Sequence, residues 1–130
     1  MDSEGLSKLA EGDRDVHAIM RVARLNGARM VLSAVTLSEV VRGDRRDANI
    51  NRAIAASGEV VPVTAEIGRA AGKLLAKAGL DGRCTVDAVV VATAALQAPP
   101  IVILTSDVND ITALVAETGL PKDAIHVRHV

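Results

Sequence analysis

The stretch Ile101-Val102-Ile103-Leu104-Thr105 decides the fold. Five successive apolar or β-branched residues are typical of a strand that is buried on both faces of a parallel sheet. The helix-breaking segment Ala98-Pro99-Pro100 precedes this strand, and Ser106-Asp107 follows it directly. Because ligands of open α/β sheets bind outside the carboxyl ends of the strands, the stretch predicts a site near Asp107.

Outward from this strand, helix and strand signals alternate along the chain. Further strands are predicted at Arg29–Ser33, Glu59–Val63 and Ile125–His129. Capping residues and 3.6-residue periodicity predict the helices Leu6–Glu11, Asp13–Leu25, Thr36–Val41, Asp47–Ala56, Ala65–Ala78, Val86–Gln97 and Val108–Glu117. This alternation predicts a single α/β domain, residues 1–130, with a mostly parallel central sheet flanked by helices.

Composition narrows the classes of function. The chain has no aromatic residue, so it has no ring on which a nucleic acid base can stack. Cys84 is its one cysteine, which excludes an intrachain disulfide and suits a reducing cytoplasm, where we expect the protein. We expect no membrane association, because the apolar run Ala88–Leu96 is too short to cross a bilayer. The net charge is −1, and the basic residues form local clusters of solvated surface: Arg21, Arg24 and Arg29, and Arg42, Arg45 and Arg46.

Acidic residues recur beside the apolar segments. Asp107 follows the strand described above, Glu39 lies on the helix after the strand that ends at Ser33, and Asp87 lies near the start of an apolar helix. Asp2 and Asp110 complete the set. Singly, each is explained by a stabilised helix N-terminus or a turn. Together they predict a site for a hard divalent cation, because carboxylates near apolar surface need a partner.

Four segments carry a family resemblance. In their order and spacing they resemble the PIN-domain ribonucleases, and most closely the VapC-type toxins of bacterial toxin–antitoxin pairs. The segments are Asp2-Ser3 followed by Gly5-Leu6, then Val31–Val40, Val86–Ala94 and Leu104–Ile111. The resemblance covers nearly the whole chain.

The resemblance implies a metal-dependent endoribonuclease that uses Mg²⁺ or Mn²⁺. The implied catalytic and metal-binding acids are Asp2, Glu39, Asp87 and Asp107, with Asp110 as a further metal ligand. Thr105 and Ser106 match polar positions that line the site and are implied to bind substrate, and Arg83 is a candidate contact for an RNA phosphate. A cognate antitoxin protein, an RNA substrate and a homodimer are the implied partners.

One feature departs from the family pattern, in which an apolar strand precedes the first acid. Here only Met1 precedes Asp2. Either the chain begins several residues upstream, which we favour, or this is a truncated copy. For the chain as it stands we expect a gap in the sheet, a frayed Asp2 and weakened metal binding.

Two other functions are alternatives to the nuclease. A non-catalytic PIN-like module would keep the fold and bind an antitoxin or RNA without effective metal binding. A phosphoacceptor receiver domain is also α/β with clustered acids, but this chain lacks the lysine expected after a late strand, and its acids are wrongly spaced. Cys84 is expected to be an inert thiol, because no histidine is placed to activate it.

Overall fold

The computed structural model describes residues 1–45 and 47–130, so Arg46 of the second basic cluster lies outside the described residues. Helices and strands alternate as the sequence predicts. In chain order they are α1 (Ser3–Glu11), α2 (Arg14–Leu25), β1 (Val31–Ser33), α3 (Ala34–Val40), α4 (Asp47–Ser57), β2 (Glu59–Val61), α5 (Ala65–Ala78), a short 3₁₀ helix (Gly82–Cys84), α6 (Thr85–Ala95), β3 (Ile101–Thr105), α7 (Val108–Ala116) and β4 (Ile125–His129). No helix in these described ranges is both long and apolar enough to cross a membrane.

Helix boundaries follow the predicted caps where the capping signals are strong. The Thr64 hydroxyl accepts a hydrogen bond from the Ile67 N–H, and Gly79 takes the left-handed conformation at the other end of α5. Asp13 caps α2 through the N–H groups of two residues in its first turn. These local contacts explain why the predicted bounds of α5 are confirmed residue for residue.

The start of α3 differs from the prediction. Thr36 was expected to cap this helix, but α3 begins at Ala34 and Thr36 lies inside it. Ser33 occupies the capping position, and its side chain makes no capping hydrogen bond. The Thr36 hydroxyl is instead buried and finds no hydrogen-bond partner among the described residues. Packing of α3 against β1 and α6 therefore overrides the local capping preference of Thr36.

The sheet is split into two parallel pairs. β1 pairs with β2 from Val31–Glu59 to Ser33–Val61, and β3 pairs with β4 from Ile101–Ile125 to Thr105–His129. In the described part of the chain no hydrogen-bonded ladder joins one pair to the other. The α/β fold with parallel strands is thus confirmed, and so is the expected gap in the sheet.

Two aliphatic clusters form the core. One surrounds α6, whose residues Ala88–Ala92 are all buried, and it includes Ile103 of β3. The other joins α1 and α2 to β1 and includes Leu104. β3 contributes to both clusters, because its alternate side chains point to opposite faces. This strand therefore fixes α1 and α6, and the acids at their N-terminal ends, relative to each other.

Candidate active site

Asp2 is held firmly in the structure. Its side chain caps α1, since Oδ1 accepts a hydrogen bond from the Gly5 N–H at 2.8 Å. Its Oδ2 accepts one from the Ser106 N–H at 3.3 Å, and the residue is only 6% exposed. The expectation that Asp2 is frayed is therefore wrong. Backbone donors 3 and 104 positions away fix its carboxylate beside the end of β3.

Gly5 permits this close approach of α1 to β3. A Cβ atom at Gly5 would lie 2.7 Å from the Met1 Cγ and 3.3 Å from the Leu104 carbonyl oxygen. The Asp2 N–H donates a hydrogen bond to that same carbonyl oxygen at 3.0 Å. The first turn of α1 is thus tied directly to the end of the strand that leads to Asp107.

The loop after β3 presents a second set of oxygens. The buried Thr105 hydroxyl accepts a hydrogen bond from the Asp107 N–H at 2.9 Å. Asp107 caps α7 by accepting one from the Asp110 N–H at 3.3 Å. Thr105 is fully buried, so its position supports a role in holding the loop rather than the predicted contact with substrate. Ser106 is exposed, and its N–H holds Asp2.

Asp87 lies at the electrostatic centre of the site. The pKa of its carboxyl is raised to about 6, first by burial and then by the neighbouring carboxylates of Asp107, Asp2, Glu39 and Asp110, in that order of effect. Like charges act in this way only when they are close to one another. The structure therefore brings all five predicted acids together, although they come from segments that are far apart in the chain.

Glu39 reaches the site from α3. It is exposed, and among the hydrogen bonds of the described residues its backbone carbonyl, not its carboxylate, accepts one from the Arg42 guanidinium. Its influence on the pKa of Asp87 is smaller than those of Asp107 and Asp2. Among the described residues no hydrogen bond therefore fixes the Glu39 carboxylate, in contrast to those of Asp2 and Asp107.

Cys84, which the sequence predicts to be an inert thiol, lies at the site. Its thiol donates a hydrogen bond to Asp110 Oδ2 at 3.2 Å. One potential ligand atom from each of Cys84, Asp87 and Asp110 lies within 4.8 Å of the others. The hydrogen bond, burial and nearby carboxylates raise the pKa of the thiol to about 11, so it stays protonated at neutral pH. The three-residue spacing from Cys84 to Asp87 at a helix start could have indicated this proximity.

Arg83 lies next to the site but is directed toward solvent. Its side chain is 90% exposed and forms an ion pair with Asp81 at 2.8 Å. That ion pair raises the pKa of the guanidinium, and Asp110 adds to the effect. Arg83 is therefore available at the rim of the site, where an incoming anion would have to compete with Asp81.

The donor set fits a hard divalent cation. Four further carboxylates act on Asp87, and its raised pKa reflects burial first and then their repulsion, which a cation would relieve. Mg²⁺ and Mn²⁺ prefer such oxygen ligands. Asp87 and Asp110 are the predicted acids that, together with Cys84, offer potential ligand atoms within 4.8 Å of one another, so the structure supports both as candidate ligands of one metal ion.

The fold and this site define a class of protein: an α/β domain whose strand and helix ends gather a cluster of carboxylates suited to metal ions. Comparison with known families gives a finer assignment. The PIN domain family matches residues 2–117, and the chain therefore belongs to that family. Membership points to a nuclease, since PIN domains are generally nucleases that depend on a divalent metal. Searches of curated proteins and of solved structures gave no match.

Proposed function

We propose that this protein is a metal-dependent endoribonuclease that acts as the toxin of a type II toxin–antitoxin pair. The observation that carries the nuclease proposal is the convergence of Asp2, Glu39, Asp107 and Asp110 on Asp87. No structural stability is gained by gathering carboxylates whose charges repel one another. A site in which carboxylates repel one another is suited to binding a cation, and the cation can in turn bind a phosphodiester.

The chain's own residues hold the proposed ligands in place. Two backbone N–H groups fix the Asp2 carboxylate, and the Asp110 N–H fixes that of Asp107. Asp87 lies in the first turn of α6, where the helix dipole favours its charge. A bound Mg²⁺ or Mn²⁺ would supply an activated water and offset the charge that develops on the scissile phosphate. Neither Cys84 nor any other side chain is required as a nucleophile.

RNA would be held by its phosphates rather than by its bases. With no aromatic residue and a net charge of −1, the chain has neither a stacking surface nor a general attraction for nucleic acid. Arg83 and Ser106 lie at the exposed rim, where they are proposed to contact phosphate groups. Substrate binding is therefore expected to depend on the metal even before the chemical step.

Exposed apolar residues support protein partners. Val22 and Leu25 of α2 are 56% and 81% exposed, and Val41 at the end of α3 is 37% exposed. These residues belong to the two helices, Ile19–Leu25 and Leu37–Val41, for which the sequence suggests an apolar partner surface. We propose that a cognate antitoxin covers this surface and directs a basic side chain toward the acids, and that the toxin forms a homodimer in the cytoplasm.

A non-catalytic binding module is the second candidate. The split sheet favours it, because the strand pair that carries Asp107 is not joined by a ladder to the pair that precedes Glu39 in the described chain. Such a protein would bind its partner equally well with or without Asp87. The two candidates can therefore be distinguished by Asp87→Asn, a single substitution that removes the charge of this side chain and preserves its shape.

The experiment measures cleavage of a single-stranded RNA with Mg²⁺, with Mn²⁺ and with a chelator. The nuclease proposal expects metal-dependent products with 5′-phosphate and 3′-hydroxyl ends. It also expects a loss of about 100-fold or more in rate for Asp87→Asn and for Asp107→Asn. Glu66→Gln is the matched control, because Glu66 is a first-turn acid of α5 outside the site. Equal cleavage by wild type and Asp87→Asn would refute the nuclease proposal, and absence of cleavage with intact antitoxin binding would favour the binding module.

A further inference from the structure

An open groove runs beside β4. It has a volume of about 830 Å³ and is lined by β4, by the second half of α7 and by the turn that joins them. In the described part of the chain β3 is the one strand that pairs with β4, so the other edge of β4 is not covered by a strand. We call this cavity the β4 groove, and its basic side chains are those of Lys122, His126 and Arg128.

The β4 groove carries positive charge, although the chain as a whole has a net charge of −1. Lys122, His126 and Arg128 are all exposed, and no aspartate or glutamate is found among the described residues that line the groove. His126 and Arg128 are two positions apart on a strand, so their side chains point to the same face. The ion pairs of the described residues are made by Arg29 and Arg83, so the charges of Lys122 and Arg128 are not offset by a paired carboxylate.

The carboxyl end of β4 brings the β4 groove to the acidic site. In the parallel ladder Arg128 is the partner of Leu104, and adjacent strands lie about 4.8 Å apart. The Leu104 carbonyl oxygen accepts the hydrogen bond from the Asp2 N–H, and the hydroxyl of the next residue, Thr105, accepts the one from the Asp107 N–H. The groove therefore ends one strand away from the two residues that position these acids.

We propose that the β4 groove binds the phosphate backbone of the RNA beside the scissile bond. His129 lies at the junction between the groove and the acidic site, because it is the ladder partner of Thr105 and its side chain is exposed. Lys122 and Arg128 offer charged donors to phosphate oxygens, and the imidazoles of the groove and the junction offer further N–H donors. The inference rests on the proposed nuclease function, which identifies the ligand as RNA.

Continuity with the acidic site selects RNA over an acidic protein segment. A carboxylate-rich peptide that followed the β4 groove to its end would approach Asp2 and Asp107, whose like charges repel it. An RNA strand in the same position reaches the proposed cation, which can hold its phosphate. The groove also differs from the rim at Arg83, where an incoming phosphate has to displace the Asp81 carboxylate. The groove is therefore the better-suited phosphate-binding surface beside the acids.

The test removes or preserves the positive charges of the β4 groove. Lys122→Gln combined with Arg128→Gln removes both charges, and Lys122→Arg combined with Arg128→Lys keeps them. Arg69→Gln combined with Lys73→Gln is the matched control, because it removes two exposed charges from α5, outside the groove. Binding of a labelled single-stranded RNA is measured by fluorescence anisotropy with Ca²⁺ over a series of salt concentrations, and cleavage with Mn²⁺ gives kcat and KM. Urea unfolding checks that each variant is folded.

The charge-removing variant is expected to bind RNA about 10-fold or more weakly than wild type. The slope of the logarithm of the binding constant against the logarithm of the salt concentration should fall in magnitude by about 1.4, because two phosphate contacts to a single strand are lost. KM should rise by a factor similar to the loss of affinity, whereas kcat and Mn²⁺ affinity should stay unchanged, because the carboxylates are untouched. The charge-preserving variant and the α5 control should resemble wild type.

The outcomes separate this proposal from the nuclease proposal. Equal RNA affinity and equal salt slope in the charge-removing variant and the α5 control would overturn the role of the β4 groove, and so would a loss of kcat without a rise in KM. Cleavage that is unaffected by the groove variants would leave the nuclease proposal intact. Binding that follows the expected pattern without any cleavage would refute the nuclease proposal and support the groove.

Discussion

Replacing Asp87 with Asn is expected to stabilise the metal-free protein at neutral pH while it abolishes metal binding. In the folded protein the pKa of Asp87 is raised from 3.8 to about 6, first by burial and then by Asp107, Asp2, Glu39 and Asp110. In the unfolded chain these effects are lost. The ionised carboxylate is therefore less favourable in the folded state than in the unfolded one, and Asn removes that charge.

The free energy of unfolding depends on pH with a defined sign. Below about pH 4 Asp87 is protonated in both the folded and the unfolded state, so it does not change the free energy of unfolding with pH. As the pH rises from about 4 to about 6, the unfolded state releases a proton that the folded state retains, so the free energy of unfolding falls. Above about pH 6 the penalty is fully present. In Asp87→Asn this fall in the free energy of unfolding should be absent.

The magnitude follows from the size of the shift. A rise of about two pKa units corresponds to roughly 3 kcal/mol. Asp87 is only partly buried, and solvent screening reduces this figure to about 1–2 kcal/mol. Asn also loses a favourable helix-dipole interaction of about 0.3–1 kcal/mol in the first turn of α6. The net stabilisation expected at neutral pH is therefore about 1 kcal/mol.

The assay is urea unfolding with a chelator present, for wild type, Asp87→Asn and Glu66→Gln, at about pH 4 and about pH 7.5. Glu66→Gln removes a first-turn acid of α5 outside the cluster, so it should be slightly destabilising at the higher pH. Added Mn²⁺ should then stabilise wild type and Glu66→Gln but not Asp87→Asn. A variant that is less stable than wild type at both pH values, or one that responds to Mn²⁺ like wild type, would show that the reasoning about Asp87 is wrong.

Three further predictions concern residues around the same site. Asp2→Ala should lower the free energy of unfolding by about 1–2 kcal/mol, because two backbone N–H groups lose their acceptor, and urea unfolding measures this loss. Thr36→Val should raise it by about 1 kcal/mol at an unchanged m value, because the buried hydroxyl has no partner, and a decrease would indicate an unseen one. Cys84, with a pKa of about 11, should be alkylated at least about 10-fold more slowly than an ordinary cysteine at neutral pH, and Asp110→Asn should accelerate the reaction; equal rates would contradict the hydrogen bond to Asp110.

Local signals account for the parts of the fold that the sequence predicts well. β3 has its predicted bounds, because an apolar run bounded by turn residues defines a strand. β4 also has its predicted bounds, although its sequence alternates apolar and polar residues and its side chains are mostly exposed. α5 has its predicted bounds, because Thr64 and Gly79 close it through contacts within a few residues. β1 and β2 are shorter than predicted, at three residues each. Their apolar patterns continue beyond the ladder that the two strands form with each other.

Long-range contacts explain what the sequence could not predict about the site. The burial of Asp2 depends on a hydrogen bond from Ser106, 104 positions away, which no local pattern reveals. The contact of Cys84 with Asp110 spans 26 positions and depends on the packing of α6 against α7. The sequence predicts the acids themselves, because each lies at a helix start, after a strand or on the helix that follows a strand. Those positions are local properties of the sequence, and the α/β topology gathers them.

Helix N-termini explain how the carboxylates remain together without a cation. Asp2 caps α1, Asp107 caps α7, and Asp87 lies in the first turn of α6, so the positive ends of three helices are directed at the cluster. Asp2 and Asp107 also accept backbone hydrogen bonds, whereas no such bond to Asp87 is found among the described residues. The repulsion within the cluster is therefore concentrated on Asp87. A cation that binds there relieves the largest unfavourable interaction in the site, so metal affinity should depend more on Asp87 than on the two capping acids.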